Sequence, residues 1–247
     1  MFVAASTYCF ADKSFEEACQ QLVDLEYDKV ELWFSEGSEH LKPQEVAADP
    51  ERFAVGYRET TRLTPIALCL EENVDLGTLR GLTKVAKLLR VTQVTIPASP
   101  IGTPFNTEID RLREFLAVTS EDGVRLSIKT KTGHLTEDPH TAVELCQSVD
   151  GLGLTLDPSY YICGPNRGRD FDQVFPFVYH VHLRDSTAEQ LQVQVGLGDV
   201  EYSRLINQLC HEEYNLALSV ELLPSQDVQS DRLLEMRKLR MLLDSLL

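Results

Sequence analysis

The sequence lacks any apolar run long enough to cross a bilayer. Its first residues lead directly into a strand-like segment, 2–6, without a basic region followed by a long apolar one. We therefore expect neither a membrane span nor a signal peptide. The six cysteines are scattered and form no C-x-x-C pair, which argues against a zinc cluster or a disulfide framework. Such cysteines are typical of reduced thiols, so we expect a cytoplasmic protein.

Positive charge is also scarce in this sequence. The chain has 23 Lys and Arg against 39 Asp and Glu, which gives a formal net charge of -16 over 247 residues. Such a surface repels phosphate backbones and anionic lipids, so we expect neither nucleic acid nor a membrane as a partner. Hydrophobic residues make up 43% of the chain and charged residues 25%, which is the balance of a globular protein with a real core.

Strand-like and helix-like segments alternate along the whole chain, with no linker and no change of composition. The predicted strands are 2–6, 29–33, 65–70, 93–97, 126–130, 152–157, 178–184 and 216–222. The first predicted helix starts at a capping box formed by Ser14 and Glu17. The other predicted helices are 42–62 (broken near Pro50), 75–89, 107–119, one that starts at Pro139, a weak helix at 171–175, 202–211 and 230–247. Strict alternation over this length predicts a single (β/α)₈ TIM barrel formed by residues 1–247, rather than an open doubly wound sheet.

Side chains alternate between the two faces of a strand, so the apolar set on each strand marks the face that packs against the helices. By this rule Tyr179, Val181 and Leu183 of the seventh strand point outward. The other set points into the barrel, and its polar members gather at the carboxyl ends of the strands, where barrels build their sites. These inward residues are Glu31, Ser127, Lys129, Lys131, Gly153, Thr155, Asp157, His180, His182, Arg184, Ala217, Ser219 and Glu221.

Three of the inward residues have the chemistry of a metal site. Asp157, His182 and Glu221 offer two carboxylates and one imidazole, a combination that suits a divalent cation. A pair of carboxylates at such a site is also able to move protons at a sugar carbon. The alternative is that His182 is a core histidine whose nitrogens are satisfied by hydrogen bonds.

At these residues the sequence resembles the xylose isomerase-like TIM-barrel family of sugar isomerases and epimerases. The resemblance lies in KVEL (29–32), GHLTEDP (133–139), LGLTLDPSY (152–160), HVHLRDS (180–186), GLGDVEYSRLINQL (196–209) and LSVEL (218–222). It implies a Mn, Mg or Zn ion held by residues of strands five to eight, of which Asp157, His182 and Glu221 match three. It also implies a small-molecule carbohydrate or sugar phosphate as the ligand. We predict that the ligand-contacting residues are Glu31, Lys131, His134, Tyr160, Arg184 and Asp185.

The sequence departs from this family where a carboxylate and two imidazoles are expected. Lys129 and Lys131 occupy the fifth strand in place of a glutamate and a histidine, and Tyr160 replaces a histidine after Asp157. An ammonium close to a divalent cation is repelled by several kcal/mol even at a moderate dielectric constant. We therefore predict that the metal site is degenerate, that no cofactor binds, and that Lys129 takes the place of the cation as a salt-bridge partner of Asp157 and Glu221.

Three functions remain open on the sequence alone. One is a sugar isomerase or epimerase in which Lys129 replaces the metal charge, Glu221 is the base and His182 assists. Another is a non-catalytic sugar-binding or regulatory barrel, which the chemistry slightly favours. A Schiff-base lyase using Lys129 is less favoured, since neighbouring carboxylates raise the pKa of a lysine. A DNA-repair endonuclease is disfavoured by the net charge.

Three long loops are predicted to surround the barrel mouth, at 97–104, 160–170 and 186–198. The second of them carries Arg167 and Arg169, which would suit a phosphate or carboxylate of the ligand. The more favoured interpretation is that both are solvated loop residues.

Overall fold

Eight parallel strands close into a barrel in the computed structural model, which describes residues 1–224 and 231–247. Neighbouring strands follow chain order, and the eighth pairs with the first. This architecture confirms the predicted (β/α)₈ barrel. The strands are β1 Phe2–Ser6, β2 Lys29–Phe34, β3 Thr64–Leu70, β4 Gln93–Pro97, β5 Arg125–Lys129, β6 Gly153–Leu156, β7 Val178–Leu183 and β8 Ala217–Val220.

The helices pack around this barrel. They are α1 Phe15–Asp24, α2 Pro43–Ala48, α3 Pro50–Thr60, α4 Leu76–Leu89, α5 Phe105–Ser120, α6 Pro139–Ser148, α7 Ser159–Cys163, α8 Tyr202–His211 and α9 Arg232–Leu246. The predicted capping box is present, because Ser14 and Glu17 exchange side-chain to backbone hydrogen bonds. The predicted break at Pro50 separates α2 from α3. Among the described residues, no helix has the length and apolar character that a membrane span requires.

Several connections differ from the prediction. The segment 160–170, predicted as a loop, begins within helix α7. The weak helix predicted at 171–175 is a 3₁₀ helix, Asp172–Phe177, which contains Pro176 and therefore cannot form a regular α-helix there. Two further short 3₁₀ helices, Thr7–Phe10 and Leu135–Glu137, were not predicted. The predicted start of the last helix, Ser230, lies outside the described residues.

A layer of small polar side chains fills the middle of the barrel. The hydroxyl oxygen of Thr155 lies 2.7 Å from that of Thr95 and 2.6 Å from that of Ser127, and the Gln93 side-chain amide donates to Ser127 at 2.6 Å. These contacts join β4, β5 and β6 across the interior. They confirm the inward orientation predicted for Ser127 and Thr155. The apolar core lies between the strands and the helices.

Tyr179 has a different orientation from the one predicted. The register between β6 and β7 shifts, so that Leu154 pairs with Val178 while Thr155 pairs with His180, and Tyr179 is left without an opposite residue. A Cβ on Gly153 would come within 2.2 Å of the Tyr179 ring. Since Gly153 shares the inward face of Thr155, the Tyr179 ring lies inside the barrel, at its amino-terminal end. Strand parity failed here because a bulge reverses the alternation.

We expect the substitution Gly153→Ala to destabilise the protein by about 1–3 kcal/mol, because the new methyl group would overlap the Tyr179 ring. The measurement is the free energy of unfolding from urea titration. The matched control is Gly56→Ala in α3, where a Cβ would meet nothing within 4 Å, and which should stabilise the protein by about 0.5–1 kcal/mol through helix propensity. Equal effects of the two substitutions would contradict the packing described for Gly153.

Candidate functional site

Charged and polar side chains from five strands of the barrel meet in its interior towards the carboxyl ends of the strands. Glu31 lies in β2, Lys129 in β5, and two histidines lie in β7, while three further residues directly follow β6, β7 and β8. All of them are buried. We call this set the buried charge network: Glu31, Lys129, Asp157, His180, His182, Arg184 and Glu221.

Lys129 binds the carboxylate of Glu221 with its ammonium group. The Nζ atom lies 2.7 Å from one carboxylate oxygen and 2.8 Å from the other. The predicted ion pair between these residues is therefore present. Burial alone would lower the pKa of Lys129, but Glu221 raises the pKa well above its usual value. Lys129 is therefore an ammonium, which is not a nucleophile.

Arg184 links the carboxylate of Asp157 to that of Glu221. Its Nη2 atom donates to Asp157 and also to Glu221, the latter at 2.7 Å. The sequence led us to expect that Lys129 would neutralise both carboxylates. Instead, Asp157 is paired with Arg184, because a guanidinium at the end of β7 reaches both β6 and β8. The Tyr160 ring centroid lies 5.5 Å from this guanidinium.

Glu31 and the two histidines form the third part of the network. Glu31 accepts hydrogen bonds from the Nε2 atoms of His180 and His182, the latter at 2.8 Å. The Nδ1 atom of His182 lies 3.2 Å from Glu221, at an angle outside ordinary hydrogen-bond geometry. Burial opposes a charge on His182, but the carboxylates of Glu221 and Glu31 raise its pKa to about 9. Burial lowers the pKa of His180, which is therefore neutral.

The network is balanced in charge. Its carboxylates are Glu31, Asp157 and Glu221, and its cations are Lys129, Arg184 and protonated His182. Burial would raise the pKa values of Glu31 and Glu221, but the adjacent cations hold both well below the usual range. Each buried charge therefore has an opposite charge in contact, which is the condition for keeping such groups away from water.

A half-exposed layer of residues lies above this network. Lys131 pairs with Glu71 at 2.7 Å, and Glu71 also accepts from the Trp33 indole N–H at 3.1 Å. The Tyr8 ring centroid lies 6.0 Å from the Lys129 ammonium and 4.8 Å from the Trp33 ring. We call Tyr8, Glu71, Lys131 and Tyr160 the mouth ring. Our sequence reasoning missed Tyr8 and Glu71, although Glu71 directly follows β3, where the strand-end rule would have found it.

Two of the predicted ligand-contacting residues have other surroundings. Asp185 is buried and accepts from the backbone N–H groups of Gly196 at 2.8 Å and Gly198 at 3.1 Å, so it holds the loop that follows β7. His134 lies in the connection after β5 and is half-buried. Its Nδ1 atom has no hydrogen-bond partner among the described residues.

The two loop arginines contact other loops. Arg167 donates to the Ala188 carbonyl at 3.2 Å, and Arg169 lies 3.4 Å from Asp138. Both contacts are compatible with the interpretation that these are surface loop residues.

The donor atoms for a divalent cation are partly present. Glu31, Cys69, His182 and Glu221 each place one potential ligand atom within 4.8 Å of the others. Cys69 was not predicted, and Asp157 is not a member of this set. Both oxygens of Glu221 already bind Lys129, and burial raises the pKa of the Cys69 thiol well above its usual value. A cation therefore fits these residues only if Lys129 releases Glu221.

Comparison with known proteins gives one family and a set of similar folds. A family model described as "Xylose isomerase-like TIM barrel" matches residues 19–239. No curated protein matches the chain. An L-ribulose 3-epimerase structure is similar, with 15% identity, a TM-score of 0.76 and coverage of 100% of this chain and 96% of that one.

Two further solved structures show the same fold. A xylose isomerase-like TIM barrel protein from Mycobacterium smegmatis, in complex with magnesium, has 15% identity, a TM-score of 0.76 and coverage of 99% and 97%. The probable 3-DHS dehydratase AsbF from Bacillus anthracis has 16% identity, a TM-score of 0.70 and coverage of 97% and 98%.

We expect the stability of the protein to fall between about pH 6.5 and pH 9, because His182 is charged in the folded state. Its pKa is raised from an unfolded value of about 6.5 to about 9. A raised pKa stabilises the fold fully below the unfolded pKa, and the gain is lost as pH rises through the folded pKa. The expected loss is about 3 kcal/mol, from about 1.36 kcal/mol per unit of pKa.

The measurement is urea unfolding at a series of pH values. His182→Gln should remove this slope below about pH 8, where the thiols of the unfolded chain are still protonated, whereas His140→Gln, at an exposed position of α6, should leave it unchanged. A free energy of unfolding that stays constant across this range would show that His182 is neutral in the folded protein.

Proposed function

Because the chain belongs to the xylose isomerase-like TIM barrel family, we propose that it binds a small carbohydrate at the barrel mouth without a divalent cation. The observation that carries this proposal is the contact of two cations with one carboxylate. Lys129 and Arg184 both bind Glu221, where a family member with a metal would need a free carboxylate ligand.

A resident divalent cation at Glu221 is energetically unfavourable. A divalent ion bound to Glu221 would lie within a few ångströms of an ammonium and a guanidinium, and the repulsion amounts to several kcal/mol even at moderate dielectric. The ion would also compete with bonds that already satisfy the carboxylates. A metal-free network therefore requires no rearrangement, whereas a metal-bound one requires Lys129 to move.

The same contacts make Glu221 a weak base. Isomerisation or epimerisation of a sugar needs a group that removes a proton from carbon, and such a base works best with a pKa near the working pH. The pKa of Glu221 is held well below its usual range by His182 and Lys129, against the effect of burial. This favours a binding or regulatory function over proton transfer.

The mouth ring supplies the binding surface in this proposal. Tyr8 and Tyr160 offer aromatic faces on which a sugar ring can pack, and Glu71 and Lys131 offer an acceptor and a donor for its hydroxyl groups. All four are half-exposed, whereas the network below them is buried.

A second candidate function is a metal-independent sugar isomerase or epimerase. The observation in its favour is that Lys129 retains slight exposure, 6%, while Glu221 has none. An ammonium at the base of the mouth is able to stabilise an enolate, though less strongly than a divalent ion does. The Schiff-base lyase is disfavoured because Lys129 is protonated.

We expect saturation-transfer NMR with a panel of ketoses, aldoses and their phosphates to detect at least one ligand, and we expect no deuterium incorporation from heavy water. Lys131→Ala should weaken binding of that ligand about tenfold, because a charged hydrogen-bond donor is lost. Lys84→Ala, at an exposed position of α4, is the control. Exchange of a carbon-bound proton would favour the isomerase or epimerase over the binding function. The absence of any sugar ligand would overturn the proposal.

We also expect Mn²⁺ titration of the wild-type protein to give no stoichiometric binding in calorimetry. Lys129→Glu should lower the free energy of unfolding without metal, because an added carboxylate would face Glu221. The same variant should gain Mn²⁺ affinity, since a ligand replaces an ammonium. A stoichiometric ion found by elemental analysis in the wild-type protein would show that Lys129 does not exclude the metal.

A further inference from the structure

Two segments at the barrel mouth, 184–201 after β7 and 221–231 after β8, lie where a barrel of this kind would hold a phosphate group. Barrels with this architecture frequently bind phosphate with the loops that follow their seventh and eighth strands. Backbone N–H groups and basic side chains are the donors that such a group requires. The donors of these two segments therefore bear on whether the ligand carries a phosphate.

In the segment after β7, backbone donors are already occupied by a carboxylate of the chain itself. The Asp185 carboxylate accepts from the backbone N–H groups of Ser186 at 3.1 Å, Gly196 at 2.8 Å and Gly198 at 3.1 Å. Asp185 is only 1% exposed. A Cβ on Gly198 would overlap this carboxylate, so the backbone packs directly against it. A phosphate that used the same N–H groups would have to displace an internal anion.

The segment after β8 adds negative charge only. Its sequence, 221–231, contains no Lys, Arg or His, and its ionisable residues are Glu221, Asp227 and Asp231. Glu221 is already bound by Lys129 and Arg184, and Asp231 caps α9. Asp227 lies outside the described residues. This segment therefore supplies no cation that a phosphate would attract.

The cations at the floor of the mouth are neutralised by carboxylates of the barrel. The Lys131 ammonium lies 2.7 Å from Glu71, and Lys129 and Arg184 bind Glu221 below it. A phosphate dianion would have to break one of these ion pairs or remain without a counter-charge. Both changes are unfavourable in a site that is largely removed from water.

Two arginines of the connection between β6 and β7 are further cations of the loops at this end of the barrel. Arg169 lies 3.4 Å from Asp138, and Arg167 donates to the Ala188 carbonyl at 3.2 Å. Both arginines are exposed. Ion pairs of exposed side chains contribute little binding energy, so these two residues do not replace a phosphate site at the mouth.

We propose, on the basis of the carbohydrate-binding function inferred above, that the mouth binds a neutral, unphosphorylated sugar and discriminates against sugar phosphates. Asp185 contributes to this discrimination because it occupies the N–H groups that would receive a phosphate. The ion pairs at the floor contribute because they leave no net positive charge. A neutral sugar needs only hydrogen-bonding groups and an aromatic face, and the mouth ring offers both.

The test is titration of the full chain with matched pairs of probes, followed by saturation-transfer NMR. Each pair is a free sugar and its own terminal phosphate ester: D-fructose with D-fructose 6-phosphate, D-glucose with D-glucose 6-phosphate, and D-ribose with D-ribose 5-phosphate. We expect at least one free sugar to bind at least about tenfold more tightly than its ester, because the ester brings a charge without a partner. Added salt should narrow this difference.

The variant that tests the part played by Asp185 is Asp185→Asn. It keeps the shape of the side chain and one acceptor for the backbone N–H groups but removes the negative charge. The preference for the free sugar over its ester should fall about tenfold. Asp199→Asn, at an exposed position of the same segment, is the matched control and should keep the wild-type preference. Circular dichroism checks that both variants are folded.

Tighter binding of an ester than of its free sugar by the wild-type protein would overturn this inference and leave carbohydrate binding in place. If that preference for the ester disappeared in Arg167→Ala, Arg167 would be identified as the phosphate-binding residue instead. An unchanged preference in Asp185→Asn would overturn the role assigned to Asp185. Failure of every free sugar and every ester to bind would overturn the proposed function itself, and the discrimination with it.

Discussion

The requirement that each buried charge has an opposite charge in contact shapes the centre of this barrel. One of the three carboxylates lies within β2 and the other two directly follow β6 and β8, and none of them is reached by bulk water. Lys129, Arg184 and protonated His182 neutralise them. If one cation were lost, a carboxylate would remain buried without a partner, which is among the most destabilising changes a protein can undergo. The positions of β2, β5, β6, β7 and β8 are tied together by this one network.

The same constraint links stability to function. In a metal-dependent barrel the counter-charge at such carboxylates is an ion, which can also polarise a substrate. Here the counter-charge is supplied by side chains that are covalently part of the barrel. In the proposed metal-free site, a carboxylate held by an ammonium and a guanidinium is stabilised and is a weak base. This explains why the half-exposed residues above the network, rather than the network itself, carry the proposed contact with a sugar.

The sequence predicted the features that depend on periodicity. The alternation of strands and helices is regular over the whole chain, so the barrel and its strands followed from it. Strand parity placed Lys129 and Glu221 on one interior face, and their pairing follows from charge. It failed at Tyr179, because a bulge is a property of the pairing between two strands and has no signature in either strand alone.

Other features depend on side-chain reach or on distant contacts. Arg184 bridges β6 and β8 through a long flexible side chain, whose direction strand parity does not determine. Tyr8 lies in the 3₁₀ helix Thr7–Phe10 after β1, a strand that showed no ligand-like pattern of its own.

The inward Tyr179 ring and the hydroxyl layer above it also make the barrel a cup with a closed base. Arg125 covers this ring from one side, with its guanidinium 5.6 Å from the ring centroid. Because the buried charge network and these layers fill the described interior of the barrel, a molecule that enters at the mouth must leave by the same opening.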